Sequence, residues 1–450
     1  MGRAPKAAWA VPAARGPAAT SAIGALRVSA AIPAALATPA ALATAGTVAP
    51  ETGGGSGVSE LRWNPVLAEW VVTATHRQER TYHPPADFCP LCPTRPGAHP
   101  TEVPADDYEI VVFENKFPSF RRTPPEPSVE GDDLYQVRPS KGICEVVLYS
   151  SKHNGSLATS DVVDIARLVD VWTDRYEELG SLDYIDYVLI FENKGEVIGV
   201  TLEHPHGQIY AFPFIPPRPA RELESAACHW HSTGRCLFCD ILGKEIADGR
   251  RLVAQNEDFV AVVPFFARYP YEVHILPRRH VASLLDFADD ERWGLADILK
   301  VVLQKYDNLF GFPLPYIMVM HQAATDGREY PYYHYHVEFY PPNRTATKLK
   351  YLAGCESGAG TFINDTLPEE TAATLRATAP CKLDPAYGTC GKCGAGAEDR
   401  GKRRGKGGGR GKGELTAEGE ADGKSLGEGE ATGGARAAER SVEVKEGSEA

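Results

Sequence analysis

The chain lacks several features that would have settled its class at once. No apolar run is long enough for a membrane helix of ~20 residues, because prolines interrupt every one in the alanine-rich opening segment. There is no basic excess: the formal charge is −13, which argues against nucleic acid as a partner, since that role needs a basic face. Any anionic ligand must therefore be held by local positive groups. The cysteine density of a disulfide-stapled secreted protein is missing too, with ten cysteines in 450 residues. Six of the ten form C-x-x-C pairs, which points to metal in a reducing, cytoplasmic setting. No acidic residue occurs from Met1 to Pro50.

That opening stretch, residues 1–57, reads as a disordered low-complexity leader or an upstream start codon, with a signal or transit peptide as the alternative. Residues 379–450 read as a disordered Gly/charged tail that cannot bury enough apolar surface to fold. The pair Cys390 and Cys393 lies in this tail without an evident partner and reads as incidental. The folded part is expected in two halves, 58–223 and 224–378.

Within these halves EWVVTA, YEIVVFEN, EVVLYS and DYVLIFEN read as strands, being short and rich in Val, Ile, Tyr and Phe. TSDVVDIARLVDVWTDRYEELG has helical spacing, with Thr159 or Ser160 as N-cap and Gly180 at the stop. The second half repeats the plan: FVAVVPF and YEVHILP are strands, DDERWGLADILKVVLQKYDNLFG a helix, and YIMVMHQA and YHYHVEFY strands again. The chemistry-bearing residues repeat as well. Cys89-x-x-Cys92, His153, a helix and His204-Pro-His206 come first; Cys236-x-x-Cys239, His280, a helix and His334-Tyr-His336 follow. Four elements in the same order indicate an internal duplication of α+β halves.

Two thiolates and two imidazoles complete a tetrahedral zinc shell. Cys89, Cys92, His153 and His204 are such a set, closed by four protein ligands and therefore structural. Strand alternation places His204, His206 and Gln208 on one face, with Pro205 and Gly207 on the other. Proline removes a ladder donor, so this stretch is expected at an edge or outside the sheet. With His204 tied to zinc, His206 stands beside a rigid anchor as a neutral, oriented imidazole able to attack phosphorus. Gly207 is expected to make room for the phosphate and Gln208 to donate to its oxygens. The chemistry implied is nucleotidyl or phosphoryl transfer through a histidine adduct. In the second half, Val337 and Glu338 replace Gly207 and Gln208, and a carboxylate would repel phosphate, so that half is expected to be non-catalytic. Cys236, Cys239, His280 and His334 repeat the first zinc set.

The segment FENKGEVIGVTLEHPHGQIYAFPFIPPRPARE, Phe191 to Glu222, resembles the active-site segment of the galactose-1-phosphate uridylyltransferase family, within the histidine triad superfamily. CLFC and HILPRRH resemble ordinary histidine triad proteins. The resemblance spans about residues 58–378 and implies two histidine-triad-like halves, each an antiparallel sheet with helices. It implies ping-pong exchange of uridylyl between UDP-glucose and galactose 1-phosphate, with His206 as nucleophile, Gln208 on the phosphoryl oxygens and the first cysteine/histidine set as zinc ligands. By the same likeness, Arg77 and Arg80 in THRQER flank the phosphates. Asn115 and Lys116 in FENKF match the uridine and ribose segment, where the family often has Asn-Asp. Phe191, Asn193, Gly199 and Thr201 match the loop before the active site. Lys350, Tyr351 and Glu356 in KYLAGCE match the sugar-recognition segment, with Cys355 where tyrosine is common. Some members hold a second metal, zinc or iron, through positions matching Glu222, His321, His336 and Glu338, the last being a carboxylate where histidine is usual. A homodimer sharing active-site residues is implied, and no membrane partner. Rival readings are another nucleotidyltransferase, phosphorylase or hydrolase of the superfamily, or a zinc-ribbon binding module. Gln208 favours transfer over hydrolysis, because the hydrolases usually carry a histidine there.

Overall fold

The computed structural model describes residues 57–80, 88–97 and 99–380. Apart from positions 57, 379 and 380, the leader and the tail with Cys390 and Cys393 lie outside the described residues. The strands are β1 (Ser59–Asn64), β2 (Glu69–Ala74), β3 (Val111–Glu114), β4 (Val137–Pro139), β5 (Ile143–Leu148), β6 (Tyr187–Lys194), β7 (His206–Phe212), β8 (Leu252–Gln255), β9 (Phe259–Val262), β10 (Val273–Pro277), β11 (Tyr316–His321) and β12 (His336–Tyr340). The α-helices are α1 (Val162–Gly180), α2 (Pro217–Thr233), α3 (Leu237–Asp248), α4 (Asp289–Leu309) and α5 (Pro368–Ala377). Among the described residues no helix is long and apolar enough to cross a membrane.

β2, β1 and β4 make a small antiparallel sheet, with Arg62 opposite Val71. The other nine strands form one antiparallel sheet in the order β3-β5-β7-β6-β11-β12-β10-β9-β8. Read outward from the β6–β11 seam, where Phe191 faces Val319, the order β6-β7-β5-β3 matches β11-β12-β10-β9. Each H-x-H motif therefore opens the strand next to the seam strand of its half, and a long helix joins the corresponding strands, α1 after β5 and α4 after β10. The mixed α+β architecture agrees with the strand and helix patterning of the sequence.

α1 and α4 cover one face of the sheet. α1 buries Ile165, Leu168, Val169, Trp172, Tyr176 and Leu179, and α4 buries Leu295, Ile298, Leu299, Val302, Leu303 and Tyr306. The three- and four-residue spacing builds one apolar stripe on each helix. Each such side chain stabilises the fold by about 1.5–3 kcal/mol. β5, ICEVVL, is buried along its whole length, as a strand covered on both faces must be.

Two expectations need correction. The N-cap of α1 is Asp161, not Thr159 or Ser160. Those two residues are spent on a preceding turn, in which Thr159 N and Ser160 Oγ both bond Ser156 O at 3.0 Å. β7 is an interior strand between β5 and β6, not an edge. Pro205 is accommodated because it stands one residue before the ladder begins, where a missing N–H costs nothing.

Candidate active site and metal centres

His204 also precedes β7, so it does not share the strand alternation of His206 and Gln208. It is fully buried and turned toward the first C-x-x-C pair. The donor atoms of Cys89, Cys92, His153 and His204 lie within 4.8 Å of one another. Cys92 Sγ is 3.5 Å from His153 Nδ1 and 3.6 Å from His204 Nδ1. The other nitrogen of His204 is held 2.8 Å from Ser150 O and 2.8 Å from the Tyr108 hydroxyl. Tying one ring nitrogen to oxygen while the other faces sulfur is how metal-ligating histidines are oriented. Burial keeps the His204 imidazole below its usual range, hence neutral. Burial and the neighbouring Cys89 push the Cys92 thiol up to about 11. A divalent cation would stabilise the thiolate that burial disfavours at Cys92, so this half-buried donor set fits a metal.

His206 opens β7, and its Nδ1 is 2.7 Å from His204 O. With the proton on Nδ1, that bond puts the lone pair on Nε2 and fixes the ring. Gln208 is two residues on, on the same face, and its Oε1 accepts from Asn115 Nδ2 at 3.4 Å. The amide nitrogen is thereby left as a donor. Phe191 pairs with Gln208 across β6–β7 and stands edge-on to Tyr210. A cleft of about 510 Å³ runs past His206 and is lined by His153, Asn193, Lys194, Thr201 and His204 among others. Gly199 has φ +85° and closes the short turn that leads into this loop, a conformation glycine adopts without strain. Arg77 donates to Phe117 O at 2.7 Å and reaches the Tyr210 hydroxyl, on the His206 face of β7. Arg80 ends the same 3-10 turn, and its side chain lies outside the described residues. Lys116 is exposed and paired with Glu102 at 3.0 Å.

Gly207 requires a correction. A Cβ there would lie 2.2 Å from Tyr149 Oη, on the side opposite His206 and Gln208. Its missing side chain admits the tyrosine from the helical layer, and the phosphate would approach from the other face. Lys350, Tyr351 and Glu356 are not brought to the cleft. Lys350 is buried and bonded to Glu356 at 2.8 Å beyond the end of β12, while Tyr351 is 74% exposed.

The second copy repeats the first in its ring geometry. Cys236, Cys239, His280 and His334 converge within 4.8 Å. Cys239 Sγ is 3.5 Å from His280 Nδ1 and 3.4 Å from His334 Nδ1, and the remaining nitrogens face Pro331 O and Pro277 O at 3.0 Å. Each of the two C-x-x-C pairs among the described residues thus closes on histidines of its own half, unlike a zinc ribbon, where such pairs close on each other. His336 Nδ1 is 3.0 Å from His334 O, as His206 is to His204.

A third cluster joins Glu222 from α2, His321 from the end of β11 and His336, again within 4.8 Å. His321 Nδ1 lies 2.8 Å from Glu222, and Glu338 is 3.5 Å from both imidazoles. Burial alone would raise Glu338, but His274, His321 and His336 outweigh it and hold its carboxyl well below the usual range. Sequence reasoning missed His274, 2.8 Å from Glu272 and 3.3 Å from Glu338, and Arg268, 3.0 Å from Glu338. The signal available was two polar residues, Glu272 and His274, alternating at the start of an otherwise apolar strand. Nothing in the sequence flagged Tyr108.

Comparison with known proteins agrees with this geometry. The sequence model of the galactose-1-phosphate uridyl transferase N-terminal domain matches residues 55–216, and that of the C-terminal domain matches 222–385. The galactose-1-phosphate uridylyltransferase of Thermotoga maritima is 41% identical over 320 residues, covering 71% of this chain and 98% of its own. That of Streptomyces lividans is 42% identical over 269 residues, covering 59% and 70%. A solved uridylyltransferase structure superposes with a TM-score of 0.64 at 37% identity, covering 71% of this chain and 98% of its own. An ADP-glucose phosphorylase from Arabidopsis thaliana, with bound ADP-glucose, superposes with a TM-score of 0.55 at 26% identity, covering 71% and 99%. The chain belongs to the galactose-1-phosphate uridylyltransferase family.

Proposed function

We propose that His206 is the nucleophile of the uridylyl transfer between UDP-glucose and galactose 1-phosphate, the activity of this family of nucleotidyltransferases. The observation that carries the assignment is the 2.7 Å contact from His206 Nδ1 to His204 O, with the Gln208 amide beside it on one face. Nε2 attacks the α-phosphorus of UDP-glucose. The bond to the bridging oxygen breaks, and its electron pair leaves with glucose 1-phosphate. A phosphate oxygen of galactose 1-phosphate then attacks the same phosphorus, the P–N bond breaks, and UDP-galactose departs from a restored imidazole. The Nδ1–H stays on His204 O throughout, steadying the positive ring of the adduct. Gln208 donates to the phosphoryl oxygens where charge builds. Arg77 and Arg80 flank the phosphates, Asn115 and Lys116 border the nucleoside, and Phe191, Asn193, Gly199 and Thr201 shape the entrance.

Cys89, Cys92, His153 and His204 would hold zinc, which there supplies rigidity and no open coordination position. Cys236, Cys239, His280 and His334 would hold a second zinc in the same way. Glu222, His321, His336 and Glu338 suit zinc or iron with mixed nitrogen and oxygen ligation. The distance of Lys350, Tyr351 and Glu356 from the cleft supports a homodimer in which a second copy brings them to the sugar. The residues 58–223 and 224–378 are read as the catalytic half and its metal-binding, sugar-side counterpart.

The test is incubation with UDP-glucose labelled at the α-phosphate, followed by mapping of the label. Label on His206, discharged by galactose 1-phosphate, is expected; a protein that never labels would remove the assignment. Inorganic phosphate and other hexose 1-phosphates belong in the acceptor panel, because an ADP-glucose phosphorylase shares the fold.

A further inference from the structure

We infer that Tyr149, backed by Glu192, is a positioning residue for His206, and that position 207 is glycine because the Tyr149 hydroxyl fills the place of its side chain. This rests on His206 being the nucleophile. Tyr149 follows β5 and grips the H-x-H turn twice. Its backbone N–H donates to Pro205 O at 3.1 Å. Its ring runs beneath β7, edge-on to Trp172 of α1 with centroids 6.1 Å apart, and brings the hydroxyl under Gly207. A Cβ at 207 would meet Tyr149 Oη at 2.2 Å, Tyr149 Cζ at 3.0 Å and Phe191 O at 3.1 Å. The first contact forces either the Tyr149 ring, packed on Trp172, or β7 itself to move, one residue from His206.

Tyr149 Oη and Glu192 Oε2 are both buried without a conventional hydrogen-bond partner. Burial first, and then the nearby Glu192 carboxyl, push the phenol well above its usual range. Glu192 Oε1 accepts from the Tyr316 hydroxyl at 2.9 Å, so the carboxyl is anchored to the neighbouring half. The second copy supplies an internal control. There β10 ends in Leu276-Pro277, with no hydroxyl at the strand end, and valine stands at 337 where the first copy has glycine. Where the hydroxyl is absent, the glycine is absent too.

The experiment compares Gly207→Ala, Tyr149→Phe, the double variant and Glu192→Gln in the full-length, metal-loaded protein. It reads the single-turnover rate of α-phosphate label transfer, KM for UDP-glucose, and metal content. Gly207→Ala should slow labelling by about 100-fold, the scale of a misplaced reacting group, with KM and metal content nearly unchanged. Tyr149→Phe alone should cost less than about 10-fold. The double variant should recover at least about 10-fold over Gly207→Ala, incompletely because Cζ and Phe191 O remain close. Glu192→Gln should lower the rate several-fold with KM unchanged. A double variant as slow as Gly207→Ala overturns the inference, as does a Gly207→Ala protein of ordinary rate. If Gly207→Ala fails to fold, a folded and labelling double variant supports the inference, and a double variant that also fails overturns it. Wild-type protein that never labels removes the His206 assignment instead.

Discussion

The two H-x-H strands share a backbone device and differ in what surrounds it. Both rings are pinned through Nδ1 to the carbonyl of the preceding cysteine-facing histidine, at 2.7 Å for His206 and 3.0 Å for His336. Beyond that the environments part. His206 looks along a cleft beside an amide, whereas His336 is buried against Glu222, His321 and Glu338. The pinned ring is common to both copies, and the groups two residues on and across the seam differ: an amide can donate to an oxyanion and a carboxylate cannot.

The largest test of this contrast is to remove each histidine. His206→Ala should abolish labelling, a loss of roughly 10⁴-fold or more. His336→Ala should leave labelling in place and lower the metal content of the Glu222/His321 cluster, as measured by elemental analysis. Equal losses from both would break the comparison. Next, Gln208→Glu gives the first copy the carboxylate of the second. It should slow transfer by roughly 10²–10³-fold through loss of the donor and repulsion of phosphate, as measured by kcat. The two cysteine/histidine sets should differ more mildly. Cys92→Ser and Cys239→Ser should each remove about one equivalent of metal, but only Cys92→Ser should slow transfer, by about 10–100-fold, because its cluster carries the carbonyl that orients His206.

The smallest effect concerns pH. Burial raises Glu192 from 4.5 to about 7, with Tyr316, Lys194, Tyr149 and Asp307 around it. The folded state prefers the protonated acid, so its contribution is fully present below about pH 4.5 and is lost as pH rises through about 7. Glu192→Gln removes that dependence. The difference in unfolding free energy between variant and wild type should shift in favour of the variant from pH 5 to pH 8, by up to about 3 kcal/mol. A constant difference across that range would place the group elsewhere than in the core.

Much of the site was legible in the chain because its parts are unusual and repeated. Cys89-x-x-Cys92 with His153 and His204, and the matching set in the second half, were read from spacing, and the structure brings each set together. The facing of His204 was misread because alternation was extended past Pro205, beyond the point where pairing stops. The reason for Gly207 was misread because its neighbour, Tyr149, is remote in sequence. Arg268 and Tyr108 were invisible for the same reason, and His274, though marked by its alternation with Glu272, was passed over: each matters through a partner on another strand or loop. α2 was hidden by prolines at its start, which a first helical turn tolerates.

By itself, then, the sequence determined most of the strand and helix pattern, the duplication and two cysteine/histidine sets able to hold a metal, since these depend on local periodicity and on the chemistry of cysteine and histidine. The tertiary structure decided which imidazole lines the cleft, which is enclosed among carboxylates, and why 207 has no side chain. Those outcomes depend on the antiparallel seam that sets β6 against β11 and on the register that lays Tyr149 under Gly207, contacts between residues far apart in the chain.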